Sequence, residues 1–84
     1  MDTLNPNLNK QIGILICGHG SRNKLAITEF EELTKLIQKK YPSILIEFGF
    51  LEFAKPSLTD ALDKLRTSSI KKVIAIPAML FAAG

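Results

Sequence analysis

The chain's single histidine stands in Gly18-His19-Gly20-Ser21-Arg22, directly after the apolar run Ile12 to Cys17. A neutral imidazole is a ligand for borderline metals and a proton acceptor near neutral pH. Flanking glycines let the backbone turn sharply and approach a neighbour closely, so His19 is expected at an exposed turn. Glu52 ends a second apolar run and is the natural partner. Adjacent strands lie about 4.8 Å apart, which puts both side chains within reach of one ion or one substrate. One histidine and one glutamate do not complete a transition-metal site, which generally takes more ligands. Ser21 and Arg22 follow at the start of a helix, where free backbone N–H groups favour a carboxylate or phosphate. The Arg22 guanidinium adds a fork of donors, and Lys24 lies close by. Ser21 reads first as a helix cap, and Glu47, a weaker candidate than Glu52, as a charge on a strand face. Cys17 is expected to be a small strand residue that packs.

Five elements must position these groups. Gln11 to Cys17 is apolar nearly throughout, as in a parallel strand covered on both faces. Asn23 to Tyr41 is a helix with Ala26, Phe30, Leu33, Ile37 and Tyr41 on one face, widened by Leu25 and Leu36. Ser21 or Asn23 can cap it, Glu31 and Lys35 sit at pairing distance, and Pro42 stops it. Ser43 to Leu51 is the second strand, with Ile44, Ile46, Phe48 and Phe50 on one side. Pro56 to Leu65 is the second helix, with Pro56 at its first position and Leu58, Ala61, Leu62 and Leu65 inward. Lys72 to Ala78 is the third strand, with Val73, Ile74 and Ile76 buried and Pro77 marking its end. The order β-α-β-α-β implies an α/β fold, a parallel sheet with right-handed crossovers. It amounts to about half of a doubly wound domain. Ligands of such sheets bind at the carboxyl ends of the strands, where His19 and Glu52 fall. The segment from Pro77 to Gly84 is expected to wall the cleft with apolar surface, Leu80 and Phe81 included.

Composition narrows the function classes. The chain has 84 residues, 46% hydrophobic and 23% charged, which suits one globular domain rather than a disordered chain. Residues 1–10 read as a loose lead-in without periodicity and without the pattern of a secretory signal. No apolar run reaches membrane-span length, so no membrane partner is expected. The net charge of +3 favours acidic ligands weakly. With no Trp and one Tyr, nucleic acid is the poorer partner. One cysteine forms no internal disulfide, which suits a cytoplasmic location. A domain this short, with an exposed sheet edge, is expected to form a homo-oligomer or to pair with a further segment.

Three stretches, taken in order, resemble the short sirohydrochlorin chelatase family. They are Gly18-His19-Gly20-Ser21-Arg22 after a strand, Phe50-Leu51-Glu52 followed by Pro56-Ser57-Leu58, and Pro77 to Gly84. That family comprises cobaltochelatases and ferrochelatases. The resemblance covers Ile12 to Gly84 and implies a three-layer, chelatase-like (flavodoxin-like) domain. It implies ATP-independent insertion of a divalent metal into a tetrapyrrole, sirohydrochlorin or a relative, in cobalamin or siroheme synthesis. Cobalt is the first choice and iron the second, each as substrate, with no organic cofactor. It makes His19 and Glu52 the metal-handling and catalytic pair, and Ser21, Arg22, Leu80 and Phe81 substrate contacts. In the family a second histidine follows the loop that here ends at Gly84. The chain is therefore expected to be the N-terminal part, residues 11–84, of a chelatase module. A parent joined to a precorrin isomerase would fit. Two rival functions remain at this point: a histidine-dependent phosphate-handling enzyme, although Gly18 stands where such enzymes carry an arginine, and a non-catalytic fragment that pairs with a partner.

Overall fold

The computed structural model describes residues 12–78. The expected lead-in and the apolar segment from Met79, with Leu80 and Phe81, lie outside the described residues. Strand β1 spans Ile12–Gly18, helix α1 Lys24–Lys40, strand β2 Leu45–Phe50, helix α2 Leu58–Arg66 and strand β3 Lys72–Pro77. The three strands form a parallel sheet in the order β2-β1-β3, with Ile16 level with Phe48 on one side and Ile76 on the other. This is the expected β-α-β-α-β sheet with β1 at its centre.

The two helices cover opposite faces, so the sheet is the middle of three layers. A side chain built on Gly13 would meet Leu65 of α2, whereas one built on Gly18 would meet Phe30 of α1. Those two positions are odd and even in one strand, and successive strand residues point to opposite faces. On the α2 face, Leu15, Ala61 and Leu65 form a core with Cys17, Leu45, Ile70 and Val73 packed around it. Removing the Leu65 side chain from water contributes about 2 kcal/mol to that layer. On the α1 face, Phe30 packs edge-on to Phe48 with centroids 5.9 Å apart and tilted against Phe50 at 4.9 Å. Tilted and edge-to-face rings match the positive rim of one to the negative face of the other.

Element boundaries differ from the sequence expectation in instructive ways. Asn23 and Tyr41 are the caps of α1 rather than members of it; the Asn23 side chain accepts from the Leu25 and Ala26 N–H groups. Pro56 lies outside α2. The chain there is still extended, the Phe50 N–H donates to the Pro56 carbonyl at 2.8 Å, and Ser57 bridges to Phe50. Ser57 is the N-cap instead, in a reciprocal box with Asp60. The second and third strands end one residue short of the expected limits, at Phe50 and Pro77.

The inward face of α1 is rotated from the apolar stripe. Ile27, Phe30, Thr34, Ile37 and Gln38 turn toward the sheet, whereas Ala26, Leu33 and Tyr41 are exposed. The polar members are satisfied locally: buried Thr34 donates its hydroxyl to the Phe30 carbonyl at 3.0 Å, and Gln38 donates to the Ile46 carbonyl at 2.6 Å. Hydrogen bonding thus removes the usual penalty for burying them. Glu31 and Lys35 form no ion pair among the described residues. Strand β3 is more open than expected. Val73 and Ile76 are half-buried and Ile74 is exposed; among the described residues α1 packs chiefly on β2, at the opposite edge of the sheet.

Candidate metal-handling site

The β1–β2 ladder does not stop where the strands stop. Beyond it, the Leu51 N–H donates to the Gly18 carbonyl at 2.8 Å and the Glu52 N–H to the His19 carbonyl at 3.1 Å. These two bonds zip the post-β1 loop to the post-β2 loop. Gly20 makes the approach possible. Its φ is +103°, and a Cβ there would overlap the Glu52 carbonyl. An L-residue rarely adopts that conformation, and no side chain fits the space. On the far side, Phe53 takes a φ of 68°, which reverses the chain directly after Glu52. Gly49 performs a similar service one strand lower, where the Ser57 and Leu58 backbone runs against it.

The result brings His19 and Glu52 together as the sequence suggested. His19 Nε2 lies 3.6 Å from Glu52 Oε2, with side-chain exposures of 73% and 49%. At that separation the pair is an ion pair when His19 is protonated, and it is open to water on one side. Among the described residues no group of three or more His, Cys, Asp or Glu side chains comes together as a metal cage.

Beside His19 lies a depression of about 190 Å³, lined by His19, Ser21, Ala26, Phe30, Phe50 and Ala78. Its floor is the aromatic cluster that joins α1 to β2. Ser21 turns out not to be the cap of α1. Its Oγ accepts the Asn23 N–H at 3.0 Å, and Asn23 caps the helix. The hydroxyl therefore steadies the turn into the cap and keeps Ser21 on the rim of the depression. Arg22 lies with its guanidinium carbon 4.5 Å from the centre of the Phe53 ring. That stack ties the helix entrance to the loop that carries Glu52. Sequence spacing gave no sign of it, because the two residues are 31 positions apart and meet only through the left-handed backbone at Phe53.

The remaining candidates fall away from the site. Glu47 pairs with Lys64 of α2 at 3.6 Å and serves the packing of that face. Cys17 packs against the α2 core, with its Sγ 3.7 Å from the Leu15 carbonyl. Burial pushes its thiol pKa up from an ordinary value of 9.0, which keeps it protonated and a poor nucleophile near neutral pH.

An open α/β sheet with a histidine–carboxylate pair at the carboxyl ends of adjacent strands defines a small-ligand site at a sheet edge. The chain belongs to the CbiX family, whose profile matches residues 13–84. It is 36% identical over 73 residues to a protein of Methanococcoides burtonii named sirohydrochlorin cobaltochelatase, covering 87% of this chain and 56% of that protein. Proteins of the same name from Sulfurisphaera tokodaii and Saccharolobus solfataricus are each 38% identical, over 72 and 77 residues. The matches cover 86% and 87% of this chain and 58% and 55% of those proteins. The chain thus spans somewhat over half the length of the curated relatives it matches.

Proposed function

We infer that this chain handles a divalent metal for insertion into sirohydrochlorin or a closely related tetrapyrrole, with cobalt the preferred ion. The observation that carries the reading is the His19–Glu52 pair, 3.6 Å apart at the sheet edge beside a depression with an apolar floor. Insertion exchanges two pyrrole N–H protons for one metal ion and strips water from that ion. A neutral His19 Nε2 can hold the ion or accept a proton, and the Glu52 carboxylate can do the same. Their exposure suits delivery, since the ion arrives hydrated and must shed water stepwise. The apolar floor suits the face of a macrocycle, while Ser21 and Arg22 suit its carboxylate rim; Leu80 and Phe81 belong to the same proposed contacts. The names of the relatives support cobalt; iron is the second metal of this reading, with siroheme as its product. The reading places the chain in the cytoplasm, working within a larger assembly. That assembly is a homo-oligomer or a longer polypeptide, such as a chelatase module joined to a precorrin isomerase.

The test is cobalt insertion into sirohydrochlorin, followed by loss of the free-base absorption bands. It is run on this chain and on a longer chelatase into which residues 12–78 are grafted. His19→Ala and Glu52→Gln should each lower kcat/KM by about a hundredfold or more, the usual yield of a positioned acid or base. Full activity in the His19→Ala variant would remove His19 from the mechanism.

A further inference from the structure

Beside the first depression lies a second, of about 380 Å³, lined by Ser21, Arg22, Lys24, Thr28, Phe53 and Ala54. It shares Ser21 and Ile27 with the first. Its character is different. Two cations stand on its wall and no carboxylate does. The ion pairs among the described residues are His19–Glu52, Lys64–Glu47 and Arg66–Asp63, so none of the described acids pairs with Arg22 or Lys24. Arg22 also has an aromatic neighbour. Its guanidinium carbon lies over the Phe53 ring, 4.5 Å from the ring centre. A guanidinium that rests against a ring keeps its N–H donors for a carboxylate.

As the described residues bound it, the first depression is smaller than the roughly 300–1,000 Å³ of pockets for drug-sized ligands. A macrocycle above His19 extends beyond that outline, and the hollow that adjoins it among the described residues is the cationic one. We propose that the Arg22–Lys24–Phe53 hollow is a carboxylate subsite. It takes an acidic side chain from the rim of the tetrapyrrole and so sets the rotation of the ring above His19 and Glu52. This rests on the functional reading given above and adds to it a residue set and a binding role. Phe53 is a positioning residue in this scheme. It lines the hollow and lies against Arg22, and its backbone is in the left-handed region.

The test uses the full 84-residue chain and two probes: uroporphyrin, a metal-free tetrapyrrole edged with carboxylates, read by fluorescence, and succinate, read by amide chemical shifts. Uroporphyrin should bind, and more weakly as salt rises, because exposed charge interactions are screened. Arg22→Gln should weaken it about tenfold, the value of one charge-assisted hydrogen bond. Lys24→Gln should weaken it less, and Phe53→Ala should weaken it while leaving the salt dependence in place. Lys71→Gln, which removes the same charge far from the hollow, should leave affinity unchanged. Uroporphyrin binding with equal affinity in wild type and Arg22→Gln would overturn the subsite and leave the chelatase reading standing. Succinate shifts confined to Ser21, Arg22, Lys24 and Phe53 without uroporphyrin binding would establish a carboxylate site and overturn the tetrapyrrole reading. Silence from both probes would overturn both.

Discussion

At Gly20 the backbone passes through a φ of +103° against the Glu52 carbonyl, and the site depends on that approach. Gly20→Ala would force the His19 loop and the Glu52 loop apart, and it would carry backbone strain as well. Forcing an alanine into a positive-φ position typically costs 1 kcal/mol or more, and the overlap with a carbonyl adds to it. The expected loss is about 2 kcal/mol in urea unfolding, with faster hydrogen exchange at the Glu52 amide, which now donates to the His19 carbonyl. A variant within about 0.5 kcal/mol of wild type, with Glu52 protected as before, would show that the contact is dispensable. Residue by residue, the site was legible to different depths. His19 and Glu52 were readable because both end apolar strands, and neighbouring parallel strands bring their ends together. The Arg22–Phe53 stack was not. It depends on a non-glycine residue in the left-handed region, and nothing in the letters around Phe53 announces that. Glu47 and Lys64 met across a strand and a helix for the same kind of reason, through tertiary packing that no local spacing encodes.

The helices show where local chemistry decides and where it does not. Five elements in the expected order were legible because apolar periodicity changes cleanly between strand and helix. Their ends were set by hydrogen bonds that the periodicity does not contain. Helix α2 begins at Leu58 because Ser57 Oγ accepts the Asp60 N–H at 3.0 Å while Asp60 Oδ2 accepts the Ser57 N–H at 3.1 Å. The Ser57 backbone N–H donated to the carboxylate lowers the Asp60 pKa below its ordinary value of 3.8, with the Ser57 hydroxyl the next cause and Lys55 a minor one. A carboxyl with a depressed folded-state pKa binds fewer protons folded than unfolded. Its stabilisation is fully present above the ordinary aspartate range and is lost as pH falls through the depressed value. Asp60→Asn should therefore flatten the acid limb of a stability–pH curve in that window, measured by denaturant midpoints. Ser57→Ala should cost about 1 kcal/mol at neutral pH, as loss of an N-cap does. An unchanged acid limb in Asp60→Asn would mean the box is not formed in solution. The rotated face of α1 follows another rule. Phe30 anchors to Phe48 and Phe50, and the helix turns to satisfy that cluster even though Thr34 and Gln38 then point inward and several leucines point out.

Those outward leucines matter for the molecule as a whole. Leu25 and Leu36 of α1 are 66% and 64% exposed, and Ile74 of β3 is 44% exposed. Scattered apolar residues on a surface are ordinary, but here they accompany a half-covered edge strand. Among the described residues β3 pairs only with β1, and none of them takes up the N–H and C=O groups of its other edge, which stand beside an apolar side chain. An edge of that kind is a template for another strand unless charge or cover blunts it. Lys72 guards one end and Pro77 the other, leaving Val73 to Ile76 between them. The area is worth about 25 cal/mol for each Å² of apolar surface removed from water, which favours association once concentration repays the lost freedom of the partners. The isolated 84-residue chain should therefore sediment above its monomer mass of 9.3 kDa as concentration rises into the micromolar range. Ile74→Lys should return it toward the monomer, since a buried lysine opposite an apolar partner is costly and a charge on an edge strand blocks pairing. Leu36→Lys separates the two surfaces: an effect there equal to that of Ile74→Lys would move the interface from the strand edge to the outer side of α1. A single monomer boundary at every concentration would mean that the exposed edge is tolerated and that the site at the other end of β1 is assembled within one chain.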